Sequence, residues 1–184
     1  MATKDQSHST LTLELSLQSY FYTELQEVNE KLLGPLSKET IFYSSLVMDK
    51  FGDANKYFSI EEGRTKNKVL GLKLLESSHL TGEARITMLK DIGDTALLVC
   101  GFFSDSLSGK IIDCSYYGEV GQAAYQQLDP LVPSFYDTPS FYKKLSGDFN
   151  RLTNVMSLVS QKTLLREQDL SSAYLIMVDK KISA

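Results

Sequence analysis

The stretch TGEARITMLKDIGDTALLVCGFF, residues 81–103, decides the fold. Met88, Leu89, Ile92, Ala96, Val99, Cys100 and Phe103 recur at helical spacing and cover two adjoining stripes. A helix apolar that far around needs neighbours on more than one side. Thr81 stands where a helix cap is wanted. Gly93 and Gly101 lie inside the run, and each costs about 1 kcal/mol relative to Ala in a helix interior. Close approach of another helix is the usual compensation. The run therefore reads as a central fourth helix.

The flanking sequence supplies the neighbours. Leu17, Phe21, Leu25, Val28 and Leu32 mark one face of a first helix, stopped at Gly34-Pro35. Ser37 caps a second helix bearing Phe42, Leu46 and Val47 and closing near Phe51-Gly52. The polar stretch Ser59–Asn67 reads as a long loop. A short third helix over 68–78 turns Leu70, Leu74 and Leu75 inward.

A fifth helix over 113–128 brings Gly118, Gly121, Ala123 and Ala124. With Gly93 and Gly101, Gly118 and Gly121 are the candidates for close helix–helix contact. Thr138-Pro139 reads as cap and first residue of a sixth helix carrying Phe141, Leu145, Phe149, Leu152, Val155, Met156 and Val159. Asp169, Leu170, Tyr174 and Met177 or Val178 favour a seventh helix, with a short strand over 173–178 as the other reading. The expectation is an all-α bundle of six or seven helices: a disordered tail over 1–10 and one helical domain over 11–184.

Composition narrows the function classes. A net charge of −4, with Lys and Arg scattered in short mixed runs such as Arg64–Lys68, argues against nucleic acid, which needs clustered cations. The longest apolar run, Ala96–Phe103, falls short of the roughly 20 residues a membrane span needs. Residues 1–10 have no apolar signal core, and the chain reads as cytoplasmic. Cys100 and Cys114 have no CxxC spacing, and they read as small packing residues in a reducing compartment, with a disulfide left open.

The segments LKDIGDTAL (89–97), GFFSDSL (101–107) and YYGEVGQAAY (116–125) together resemble a group of uncharacterised bacterial helical proteins. That group carries the pattern LGD-x-AL-x-x-x-GFF followed by YY-x-x-x-G-x-x-AY. Its further DLL-x-x-Y-x-x-W helix is matched only as far as DLSSAYL (169–175), since this chain has no Trp. The resemblance implies a helical bacterial domain and brings no activity or catalytic residue with it.

Asp94 is the leading candidate for a site. On a buried helix its carboxylate must find partners or face water. Tyr116, Tyr117 and Tyr125 are the hydroxyl donors read for it. The four residues make either a polar pocket or a hydrogen-bond network that fixes helix pairing. Glu76 and His79 have the spacing of two metal ligands but lack companions, so no metal or other cofactor is expected. Cys100 has no histidine beside it to act as a base.

The aromatic pairs Phe102-Phe103, Tyr116-Tyr117, Phe135-Tyr136 and Phe141-Tyr142 read as core, or as the lining of an apolar groove. The leading functional reading is a non-enzymatic interaction or regulatory protein acting through a helical surface, with a protein partner or a homodimer. The alternative is a small-molecule or lipid-binding bundle, with or without enzymatic activity, with its cavity near Asp94, Tyr116 and Tyr117.

Overall fold

Helix α4 (Gly82–Phe102) is wrapped on nearly every side: every residue from Ile92 to Gly101 except Thr95 is buried. Seven helices have both ends within the described residues: α1 (Leu17–Glu30), α2 (Lys38–Asp49), α3 (Leu70–Ser77), α4, α5 (Ser104–Leu107), α6 (Cys114–Leu128) and α7 (Phe141–Gly147). After Asp148 a further helical run occupies 149–162. The chain is an all-α bundle in which α4 pairs most extensively with α6. This computed structural model describes residues 16–50, 60–61, 64–65, 70–107, 113–132, 134–135 and 137–162. The tail expected over 1–10 and the helix expected at 169–178 lie outside them.

Local chemistry explains the helix ends. Ser16, Ser37 and Asp113 each accept a backbone N–H three residues on, which satisfies an orphan donor of α1, α2 and α6. Thr81 stands at the cap position of α4 but its side chain makes no capping bond. Between α1 and α2, the Asn29 side chain donates to the Leu36 carbonyl at 3.0 Å and accepts the Leu36 N–H at 2.7 Å. That pair of hydrogen bonds to the backbone fixes the turn which Gly34-Pro35 imposes. Lys162 reaches back to Glu24 at 2.6 Å and Glu27 at 2.9 Å, tying the 149–162 helix to α1.

Three expectations fail. Thr138-Pro139 does not start a helix: it forms strand β4 (Thr138–Pro139), paired antiparallel with β3 (Ser134–Phe135), Phe135 opposite Thr138. The role assigned to Thr138 is filled from elsewhere, because Asp129 accepts the Lys143 N–H at 3.0 Å in the first turn of α7. Ser140 precedes that turn in the left-handed region at φ 49°. Leu75 points outward, 68% exposed, and Leu72 is exposed beside it, so α3 buries a narrower face than its leucines suggest. Within the expected loop, Ile60–Glu61 and Arg64–Thr65 pair as a two-residue antiparallel hairpin.

The glycines mark where α4 is crossed. A Cβ on Gly93 would lie 2.5 Å from the Tyr125 ring, one on Gly101 2.7 Å from Met156, and one on Gly121 2.7 Å from Ala96. Gly118 differs: its nearest neighbour, the Asn150 side chain, would be 3.8 Å away, an ordinary contact. The pairs Gly93/Tyr125, Ala96/Gly121 and Cys100/Cys114 step in opposite directions along the two chains, so α4 and α6 pack antiparallel.

Candidate functional site

Asp94, 2% exposed, is held by four donors from three helices. Its Oδ1 accepts from the Tyr43 hydroxyl of α2 at 2.5 Å and the Tyr125 hydroxyl of α6 at 2.9 Å. Its Oδ2 accepts from Lys50, just past α2, at 2.5 Å, and from Lys90, one turn back on α4, at 3.1 Å. The lone-pair positions of a carboxylate are thereby filled. The lysines are about two-fifths exposed and lead from the buried anion to solvent.

The rings around the anion form an aromatic shell. Tyr43 meets Phe135, Phe141 and Tyr142 edge-on, with Phe135 stacked on Phe141 at 4.5 Å and Tyr142 stacked on Tyr125 at 5.9 Å. Lys90 Nζ also lies 5.3 Å from the centre of the Tyr43 ring, within cation–π range. The β3–β4 hairpin, by shaping the approach to α7, is what sets Phe135 against Phe141.

Protonation follows from this surrounding. Burial opposes ionisation of Asp94 most strongly, but the charges of Lys50 and Lys90 and the bonds from Lys50 and Tyr43 outweigh it. The carboxyl is held below the usual range. Burial, then the Asp94 charge, holds the Tyr43 and Tyr125 phenols well above the tyrosine range, and lifts Tyr142 by the same two causes. Burial also lifts Tyr117.

A phenol kept protonated in the fold stabilises it fully below about pH 10, where unfolded tyrosine ionises, and ceases to as pH rises further. Asp94 works the other way: its contribution is complete above about pH 4 and fades as pH falls through its lowered value. Phenolate absorbance on raising the pH is therefore expected to rise in two stages. Tyr43 and Tyr125 contribute only to the later stage, a cooperative step that coincides with loss of helical circular dichroism. A single smooth titration of all ten tyrosines, with the fold intact, would contradict the buried shell.

Of the four residues read as a polar pocket, the structure joins Asp94 to Tyr125 and separates the other two. Tyr116 accepts the Gly71 N–H at 2.9 Å and so secures α3. Tyr117 is buried near Cys100 and Cys114. Nine residues of helix separate Tyr116 from Tyr125, about 13 Å of rise, which puts one carboxylate out of reach of both. Tyr43, Lys50 and Lys90 were missed. Lys90 has a legible signal, an i,i+4 pairing with Asp94. The α2 residues carry none, because their closeness to Asp94 arises only on folding.

A second feature lies at the other end of α4. An open cleft of about 380 Å³ runs between the end of α4, the start of α6 and the 149–162 helix. Its described lining is Cys100, Ser104, Cys114, Ser115, Asn150, Thr153, Asn154 and Ser157: thiols, hydroxyls and amides, with no ionised side chain among them. Asp113, which caps α6, fixes the backbone at its rim. Among the described residues no group of three or more His, Cys, Asp or Glu could hold a metal ion, and no helix is long and apolar enough to cross a membrane. No family model, no curated protein and no solved structure matches the chain.

Proposed function

We propose that the protein is a small-molecule-binding helical bundle whose ligand occupies the cleft beside Cys100 and Cys114. The observation that carries this reading is a concave site of ligand size, about 380 Å³, lined by neutral hydrogen-bonding groups on four packed helices. Hydroxyl and amide groups both donate and accept, so the ligand they suit is uncharged and rich in hydroxyl or amide functions. Placement on helices rather than loops keeps the polar groups in register before the ligand arrives.

The Asp94 cluster supports this reading indirectly. With its acceptor positions occupied, the carboxylate is a structural node that locks α2, α4 and α6 together and holds the frame of the cleft. The cleft therefore takes the place of the cavity expected at Asp94, Tyr116 and Tyr117. Small-molecule binding ranks above an interaction surface because a formed concavity is present.

Native mass spectrometry of the full chain purified from its own cell tests the proposal, alongside a ligand-observed NMR screen of neutral polyol and amide fragments. A bound mass or fragment hits are expected, and Ser157→Phe, which fills the cleft from its half-buried wall, removes them. Binding untouched by Ser157→Phe places the ligand elsewhere, and absence of any bound species rejects the reading.

A further inference from the structure

Cys100 and Cys114 meet where the last turns of α4 pack against the start of α6. Cys100 is buried on the last turns of α4 and Cys114 is the first residue of α6, half-buried. The Cys100 thiol donates to the Cys114 backbone carbonyl at 3.3 Å, so the two residues are in direct contact. Both sulfur-bearing side chains line the same open cleft, so a small reagent entering it meets the pair together. Around them stand the hydroxyls of Ser104, Ser115 and Thr153, which can hydrogen-bond a peroxide oxygen.

We propose that Cys100 and Cys114 are a dithiol site for small hydroperoxides, oxidised within the cleft to an intramolecular disulfide. The half-exposed Cys114 sulfur, giving up its proton to water, attacks the distal oxygen of the hydroperoxide. The O–O bond breaks, the alkoxide takes up a proton and leaves as an alcohol, and Cys114 becomes a sulfenic acid. The Cys100 sulfur then attacks the Cys114 sulfur, the S–O bond breaks, and hydroxide leaves with the Cys100 proton as water. Two thiols and one hydroperoxide thus give one disulfide, one alcohol and one water, with both thiols oxidised and the peroxide reduced.

The order of attack follows from the surroundings of each sulfur. Cys114, half-buried at the cleft, meets the reagent first, and Cys100, buried behind it with its thiol pushed up by burial, serves as the second, resolving partner. The pair does not depend on the ligand reading, since its reagent is small and its product is covalent. A cleft that binds no polyol leaves the oxidation result unchanged.

The test treats reduced, full-length protein with tert-butyl hydroperoxide and maps peptides by mass spectrometry without reduction, with dimedone present to trap sulfenic acid. The expected wild-type product is a Cys100–Cys114 disulfide within one chain, restored to two thiols by dithiothreitol. Cys100→Ser is expected to stop at a dimedone adduct on Cys114, and Cys114→Ser to leave Cys100 unmodified. Circular dichroism of both variants reports that serine preserves the fold. Wild-type protein that keeps both thiols, carries Cys114 to sulfinic acid with Cys100 free, or forms only disulfides between chains would overturn the proposal.

Discussion

Asp94→Ala is expected to lower stability by about 3–5 kcal/mol, the range for removing one partner of a buried ionic cluster. The magnitude comes from what is left behind. Tyr43 and Tyr125, both essentially without solvent exposure, lose their acceptor, and each buried hydroxyl left unsatisfied costs about 1–3 kcal/mol. Lys50 and Lys90, which meet on one carboxylate oxygen, lose the anion that holds their two like charges together. Their partial exposure lets water relieve some of that repulsion, so the tyrosines carry most of the loss. Asp94→Asn keeps the shape but replaces two acceptor positions with donors that face donors, and it too is expected to be strongly destabilising. Chemical unfolding measures both, and an alanine variant within about 0.5 kcal/mol of wild type, the range of ordinary surface changes, would remove Asp94 from its structural role.

Gly93→Ala is expected to cost about 2–3 kcal/mol, against the gain of about 1 kcal/mol that alanine brings to an unconstrained helix interior. The added carbon would lie 2.5 Å from Tyr125 Cε1 and 2.8 Å from Cδ1 and Cζ, distances that no packed interior holds. Relief requires the ring to move. Tyr125 is fully buried, stacked on Tyr142, and anchored through its hydroxyl to Asp94, so its retreat would break the cluster next door. The effects of Gly93→Ala and Asp94→Ala are therefore expected to be non-additive, the double variant losing less than the two singles together. Gly118→Ala provides the control, because an added carbon there meets nothing closer than 3.8 Å. That variant is expected to be neutral or up to about 1 kcal/mol more stable.

The two variants separate what can be read in a sequence from what cannot. The central position of α4 was legible, because apolar residues around most of a helix cannot be buried by one neighbour. So was the need of Asp94 for donors from the neighbouring helix: a carboxylate in an apolar helix must find donors, and tyrosines there are natural ones. What escaped was register. Choosing among Tyr116, Tyr117 and Tyr125 needed the antiparallel offset between α4 and α6, which helical periodicity within each segment does not encode.

Tyr43 and Lys50 escaped for a related reason. α2 buries Ile41, Tyr43, Ser44, Ser45, Val47 and Met48, nearly its whole circumference, so no single stripe picks out Tyr43. The start of α7 escapes a local reading because Thr138-Pro139 satisfies a cap pattern, while the first-turn donor of the real helix, Lys143 N–H, is taken by Asp129, far back in the chain. The cleft was invisible for a simpler reason: Ser104, Ser115, Asn150 and Ser157 are unremarkable singly, and only the meeting of their helices makes them a wall.

Native-state hydrogen exchange along α4 bears most directly on the account. If the helix is wrapped by α2, α6 and the 149–162 segment and pinned through Asp94, the amides of Ile92–Gly101 should exchange only by global unfolding, with a free energy equal to that from denaturant titration. Exchange of those amides through local opening, at energies typical of peripheral helices such as α3, would contradict it.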